Sequence, residues 1–153
     1  MGKTGRYPEI YVDADACPVK DEVVKVAERH GMTVHMVSDG GVRPHPSPLV
    51  FIVVVSQGAD AADDWIVERI QSGDITITND IPLADRCIKK GALAIRPNGR
   101  AFSEDSIGMA LATRNLMADL RETGEVTGGP APFSKQDRSR FLQALDTAIQ
   151  SLH

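Results

Sequence analysis

Residues 9–31 read EIYVDADACPVKDEVVKVAERHG, a β-branched run that ends in acid and passes at once into a helical pattern. Glu9 to Asp13 has the Ile, Tyr and Val content of a strand. From Pro18 to His30 the apolar residues Val23, Val24, Val26 and Ala27 return at helical spacing. Pro18 suits the first helical position, and Gly31 suits the stop. A strand followed directly by a helix is the first half of a βαβ unit, which leads to a parallel sheet.

The same alternation continues along the chain. Further strands are predicted at Thr33 to Ser38, Leu49 to Val55, Ile75 to Thr78 and Leu93 to Arg96. Helices are predicted at Asp60 to Gln71, with Ala61, Ala62, Trp65, Ile66 and Ile70 on one face, and at about Ile81 to Lys90. Ser103 can cap a helix running to about Arg121, and Ser134 can cap a last one from Lys135 to about Leu152. Two loops stand out by their Gly and Pro content, Asp39 to Pro48 and Thr123 to Phe133. The expected architecture is α/β, a three-layer sandwich around a mostly parallel five-stranded sheet of order 3-2-1-4-5.

Length and composition agree with one domain over residues 1–153, its first eight residues a flexible lead. Hydrophobic residues make up 42% and charged residues 25% of the 153, which is the balance of a globular chain and not of a disordered one. The longest apolar run, Leu49 to Val55, is far short of the roughly 20 residues that span a bilayer, so no membrane partner is expected. Met1 to Pro8 lacks the apolar segment of a signal peptide. Two cysteines, Cys17 and Cys87, give neither a disulfide framework nor zinc spacing, and a cytoplasmic location is the expectation. The net charge of −4 is unevenly spread: residues up to Thr76 carry 7 basic and 12 acidic side chains, the remainder 10 basic and 9 acidic. Acid therefore gathers in the first half, while the strongly basic balance of dedicated nucleic-acid binders is absent.

That acid sits at informative places. In an open α/β sheet, ligands bind beyond the carboxyl ends of the strands, where strand order reverses. Asp13 closes the first strand there. Asp15 follows two residues later, on the same side if the strand continues, or serves as a helix cap. Asp80 closes the fourth strand in the same manner, before Ile81 and Pro82. With the first and fourth strands adjacent, Asp13 and Asp80 would converge, and like charges that close need a cation. Asp60, Asp63 and Asp64 share one surface at the start of the middle helix, where acids also favour the helix dipole. Oxygen-only ligands of this kind suit Mg²⁺ or Mn²⁺, whose chemistry implies phosphodiester hydrolysis.

Taken together, Asp13-Ala14-Asp15-Ala16-Cys17-Pro18-Val19, Gly58-Ala59-Asp60-Ala61-Ala62-Asp63, Thr78-Asn79-Asp80-Ile81-Pro82-Leu83-Ala84 and Gly129-Pro130-Ala131-Pro132-Phe133 resemble the bacterial YaiI/YqxD family over roughly residues 9 to 150. That family is similar in turn to PIN-like and NYN-like nucleases. The resemblance implies Asp13, Asp63 and Asp80 as catalytic metal-site carboxylates, Asp15 and Asp60 as further metal ligands, and Asp85 as a weaker addition. It also implies RNA or single-stranded nucleic acid as the partner. Asp39 departs from the Asn-like residue expected in relatives.

Arg114 and Lys89 are the candidate phosphate contacts; an ion pair for Arg114 and a solvated helix end for Lys89 are the plainer readings. Cys17 and Cys87 read as packing residues, and His45 as an exposed loop residue. Two other functions fit the same acids. One is a PIN-like module that binds RNA or protein without catalysis. The other is a haloacid-dehalogenase-like phosphatase with Asp13 and Asp15 as nucleophile and acid/base and Asp80 and Asp85 on Mg²⁺. Against the latter, position 17 is Cys instead of Thr or Val, and no lysine lies between Lys25 and Lys89.

Overall fold

The computed structural model describes residues 8–14, 17–40, 46–55, 61–103 and 134–152. Five strands, β1 (Ile10–Asp13), β2 (Val34–Ser38), β3 (Val50–Val54), β4 (Ile75–Ile77) and β5 (Leu93–Ile95), form one sheet of order β3-β2-β1-β4-β5. Every pairing is parallel. Among the described residues four helices flank it: α1 (Lys20–His30), α2 (Ala61–Arg69), α3 (Ile81–Lys89) and α4 (Lys135–Ser151); the helix expected from Ser103 to about Arg121 lies, beyond Ser103, outside the described residues. The strand order and the layering follow the expectation from sequence, each strand being trimmed by a residue at one or both ends.

Side-chain alternation on the strands creates two apolar layers. Ile10 and Val12 of β1, with Val34, Met36, Ile75, Ile77 and Ile95, pack against Val23, Val26 and Ala27 of α1 and against Phe141, Leu145 and Ile149 of α4. Tyr11 and Val37 point the opposite way and meet Ile66 and Ile70 beside α2 and Leu83 and Cys87 of α3. Helices on opposite faces are what right-handed crossovers require when the chain first moves one way from β1 and then returns past it to β4.

Ser134 and Asp137 form a capping box at α4, with bonds of 3.1 and 3.0 Å. At α1 the helix starts at Lys20, two residues later than expected from Pro18. Val19 occupies the cap position, and its apolar side chain makes no capping bond. Gly31 ends α1 in the left-handed conformation, φ 69°, that a Cβ would strain.

Two tertiary clamps fix the sheet's margins. Asp74 is fully buried at the amino end of β4, where its carboxylate accepts the amide N–H of Glu9 (3.0 Å) and that of Gln71 (2.9 Å). The start of β1 is thereby tied to the turn before β4. His30 Nε2 lies 2.7 Å from Asp146 Oδ1, joining α1 to α4, and Arg138 bonds Glu22 across the same pair of helices at 3.0 Å. Among the described residues, no helix is long and apolar enough to cross a membrane.

Candidate active site at the carboxyl end of the sheet

The order β3-β2-β1-β4-β5 reverses between β1 and β4, so the crevice of this sheet opens where those two strands end. Asp13 is the last residue of β1, and Thr78 and Asp80 follow β4 directly. One hydroxyl joins them. Thr78 Oγ1 donates to Asp13 Oδ2 at 3.0 Å and accepts the amide N–H of Asp80 at 2.9 Å. Thr78 is 2% exposed, whereas Asp13 and Asp80 are only partly buried and border solvent. Asp80 also caps α3: its Oδ1 accepts the Leu83 amide at 2.8 Å, and Pro82 sits in the first turn. Both readings of Asp80, cap and crevice carboxylate, are therefore compatible, since the cap occupies Oδ1 alone.

Asp63 stands in the first turn of α2, on the α2–α3 side of the sheet. Its charge is felt at Cys87 of α3, where burial pushes the thiol up to about 12 and Asp63 adds in the same direction. Asp64, its neighbour, pairs instead with Arg86 at 3.1 Å and ties α2 to α3. Burial likewise pushes the Cys17 thiol up to about 11; the Asp13 charge contributes to the rise, while Lys20 and a backbone bond oppose it. Both cysteines are buried neutral thiols, in keeping with a packing role.

Thr78 thus links the Asp13 carboxylate to the Asp80 backbone at adjoining strand ends, but the described acids do not close into a ligand set by themselves. Among the described residues, no group of three or more His, Cys, Asp or Glu side chains is placed to hold a metal ion. Asp15, Asp60, Arg114 and His45 lie outside the described residues. Lys89 is not at the crevice. α3 begins at the carboxyl end of β4 and runs back to the start of β5, so its last turn lies at the amino end of the sheet. There Lys89 pairs with Asp85 at 2.8 Å. Thr78 was not assigned a role from sequence, although its place directly after an apolar strand and between two acids was the available signal.

Comparisons with known proteins identify the family of the chain. The model described as "Uncharacterized BCR, YaiI/YqxD family" matches residues 11–151. The chain belongs to the YaiI/YqxD family. Among similar proteins, a "UPF0178 protein" of Rhodopseudomonas palustris strain TIE-1 is 62% identical over 149 residues, covering 97% of this chain and 94% of the relative. One from Parvibaculum lavamentivorans is 63% identical over 144 residues, covering 94% and 95%. One from Rhodospirillum rubrum is 61% identical over 145 residues, covering 94% and 97%. No solved structure matches. The matched segment of this family member takes in both Asp13 and Asp80.

Proposed function

We propose that the β1–β4 crevice is a divalent-metal-dependent phosphodiesterase site acting on RNA or single-stranded nucleic acid, with Asp13 and Asp80 as its central carboxylates and Asp63 in support. The observation that carries this reading is the Thr78 hydroxyl bridging Asp13 and the Asp80 backbone at the point where strand order reverses.

The donor set suits a hard cation. Mg²⁺ keeps several waters and takes one or two carboxylates, so Asp13 and Asp80 suffice, with Asp15 and Asp60 as further candidates. Cys17, a buried neutral thiol, does not compete as a soft ligand. A bound Mg²⁺ or Mn²⁺ would lower the pKa of a water and stabilise a leaving phosphate oxygen. The protein's part is orientation: Thr78 fixes the Asp13 carboxylate, and the Leu83 amide fixes that of Asp80. The amino end of α3 adds a positive dipole that favours an anionic phosphate nearby.

The test is Mn²⁺-dependent cleavage of a panel of short single-stranded oligonucleotides. Asp13→Asn and Asp80→Asn each reduce cleavage at least about 100-fold, a size typical of losing a group that stabilises transition-state charge. Asn retains N-cap capacity at position 80, so a loss there is not a folding defect. Equal cleavage by wild type and both variants, or none by wild type with any divalent ion, defeats the proposal. The second outcome would favour a binding module without catalysis, a reading that the structural use of Asp80 as a helix cap also supports.

A further inference from the structure

Away from the crevice, the sheet carries a row of rings at one level. Tyr11 on β1 is in register with His35 on β2, and His35 with Phe51 on β3. The rings stack in sequence. Tyr11 and His35 have centroids 4.7 Å apart with planes 18° from parallel, and His35 and Phe51 are 6.0 Å apart at 25°. Trp65 of α2 leans over the row, 6.1 Å from Tyr11 and 5.9 Å from His35. Polar contacts hold the rings in place: His35 Nε2 lies 2.6 Å from Glu9 Oε1, and the Tyr11 hydroxyl donates to the Arg69 carbonyl at 3.4 Å.

Strands spaced about 4.8 Å apart bring rings, one per strand, to stacking distance. The row stops at β3 because β3 is the sheet's edge, and Phe51 is left 53% exposed. A flat ring held at the end of a fixed stack offers its outer face to one more flat ring. Charge borders the same row. The Arg69 guanidinium lies 4.2 Å over the Trp65 ring, half exposed, and among the described residues its ion-pair partner is the solvated Glu68 carboxylate, at 3.8 Å. A planar ring joined to an anion matches both features, and an unpaired nucleobase with its phosphate has that form.

We infer that Phe51 is the stacking position for an unpaired base of a single-stranded nucleic acid, with Arg69 meeting an adjoining phosphate. The inference rests on the nucleic-acid reading of the crevice and gives that site its strand preference. Phe51 lies two strands and two residues from Asp13, about 12 Å by strand geometry, so one strand can reach both. Double-stranded substrate is disfavoured because its bases are already stacked.

Binding, measured without catalysis, tests this. Fluorescence anisotropy of a short labelled oligouridylate, and of a blunt duplex, is followed in EDTA for wild type, Phe51→Ala, Phe51→Leu and Phe51→Trp. The side chain is half exposed, so folding tolerates all three, which circular dichroism verifies. Phe51→Ala and Phe51→Leu are expected to weaken single-strand binding about fivefold or more, the loss of one base–aromatic stack, while Phe51→Trp retains it and duplex binding stays weak. Arg69→Gln is expected to reduce the salt slope of single-strand binding by about 0.7, one phosphate contact. Unchanged binding in Phe51→Ala, full binding in Phe51→Leu, or no oligonucleotide binding by wild type overturns the inference. So does concentration-dependent self-association of wild type that Phe51→Ala abolishes, because the edge would then be a protein interface. Since no metal is present, failure of cleavage at Asp13 and failure of stacking at Phe51 are read separately.

Discussion

Replacing Thr78 by valine removes one oxygen, keeps the shape of the side chain and opens no cavity, so its effect isolates two hydrogen bonds. The bond to Asp13 Oδ2, at 3.0 Å, is charge-assisted and of a kind worth about 1.5–3 kcal/mol; the bond from the Asp80 amide, at 2.9 Å, is neutral and worth about 1 kcal/mol. Asp13 is partly exposed and regains some solvation from water, which lowers the sum to about 2–3 kcal/mol. For a chain of this length that is about 8 °C in melting temperature. Urea unfolding of wild type, Thr78→Val, Asp13→Asn and the double variant measures the coupling directly. Residues in one hydrogen-bond network couple by about 0.5–3 kcal/mol, so Thr78→Val is expected to cost less once Asp13 is already changed. Thr78→Ser should restore most of the stability. A Thr78→Val variant within about 0.5 kcal/mol of wild type, or one whose cost is the same in both backgrounds, would refute the claim that this hydroxyl holds Asp13.

Other outcomes follow from the clamps and the thiols. Asp74→Ala removes a fully buried carboxylate, leaves the part-buried Glu9 and Gln71 amides without their acceptor and is expected to cost about 2–4 kcal/mol in urea unfolding, with Asp74→Asn falling between; a cost below about 1 kcal/mol would contradict the clamp. The His30 ring beside Asp146 holds its carboxyl below the usual carboxylate value of 3.8, with Arg29 and Gln150 adding to the effect. Because folding lowers that pKa, the stability it contributes is complete above the unfolded value and disappears as pH falls through the folded one. The urea midpoint of Asp146→Asn should therefore fall less than that of wild type between neutral pH and about pH 3, and parallel curves would sink the assignment. Cys17 and Cys87, raised to about 11 and 12 by burial, should resist iodoacetamide at neutral pH until the chain is unfolded by urea; rapid labelling of either in the native protein would refute this.

The strand order was legible because each strand announces itself by a β-branched run and each crossover by a helical period, and handedness leaves few arrangements of such a series. Asp13 and Asp80 were legible for a related reason: an acid directly after a buried strand must emerge at that strand's carboxyl end. The start of α1 was not, because Pro18 satisfies the rule for a first helical residue equally well two positions before the helix forms. Of the two readings of Lys89, the solvated helix end agrees with the direction of its helix, since a helix that leaves the carboxyl end of β4 and returns to the start of β5 finishes at the opposite end of the sheet. Thr78, Asp74 and the Tyr11–His35–Phe51 row depend on which residues stand opposite each other across neighbouring strands or close in space, and a single chain read in order carries no such register.

Trp65 is the chain's one tryptophan, and it leans on the ring row while a guanidinium covers its face. Its emission consequently reports on a single locality: the seating of α2 on the sheet and the polarity around His35. The protein carries a built-in optical gauge, in which displacement of Arg69 by a ligand or loosening of α2 in denaturant would register as a shift in wavelength or yield without any added dye.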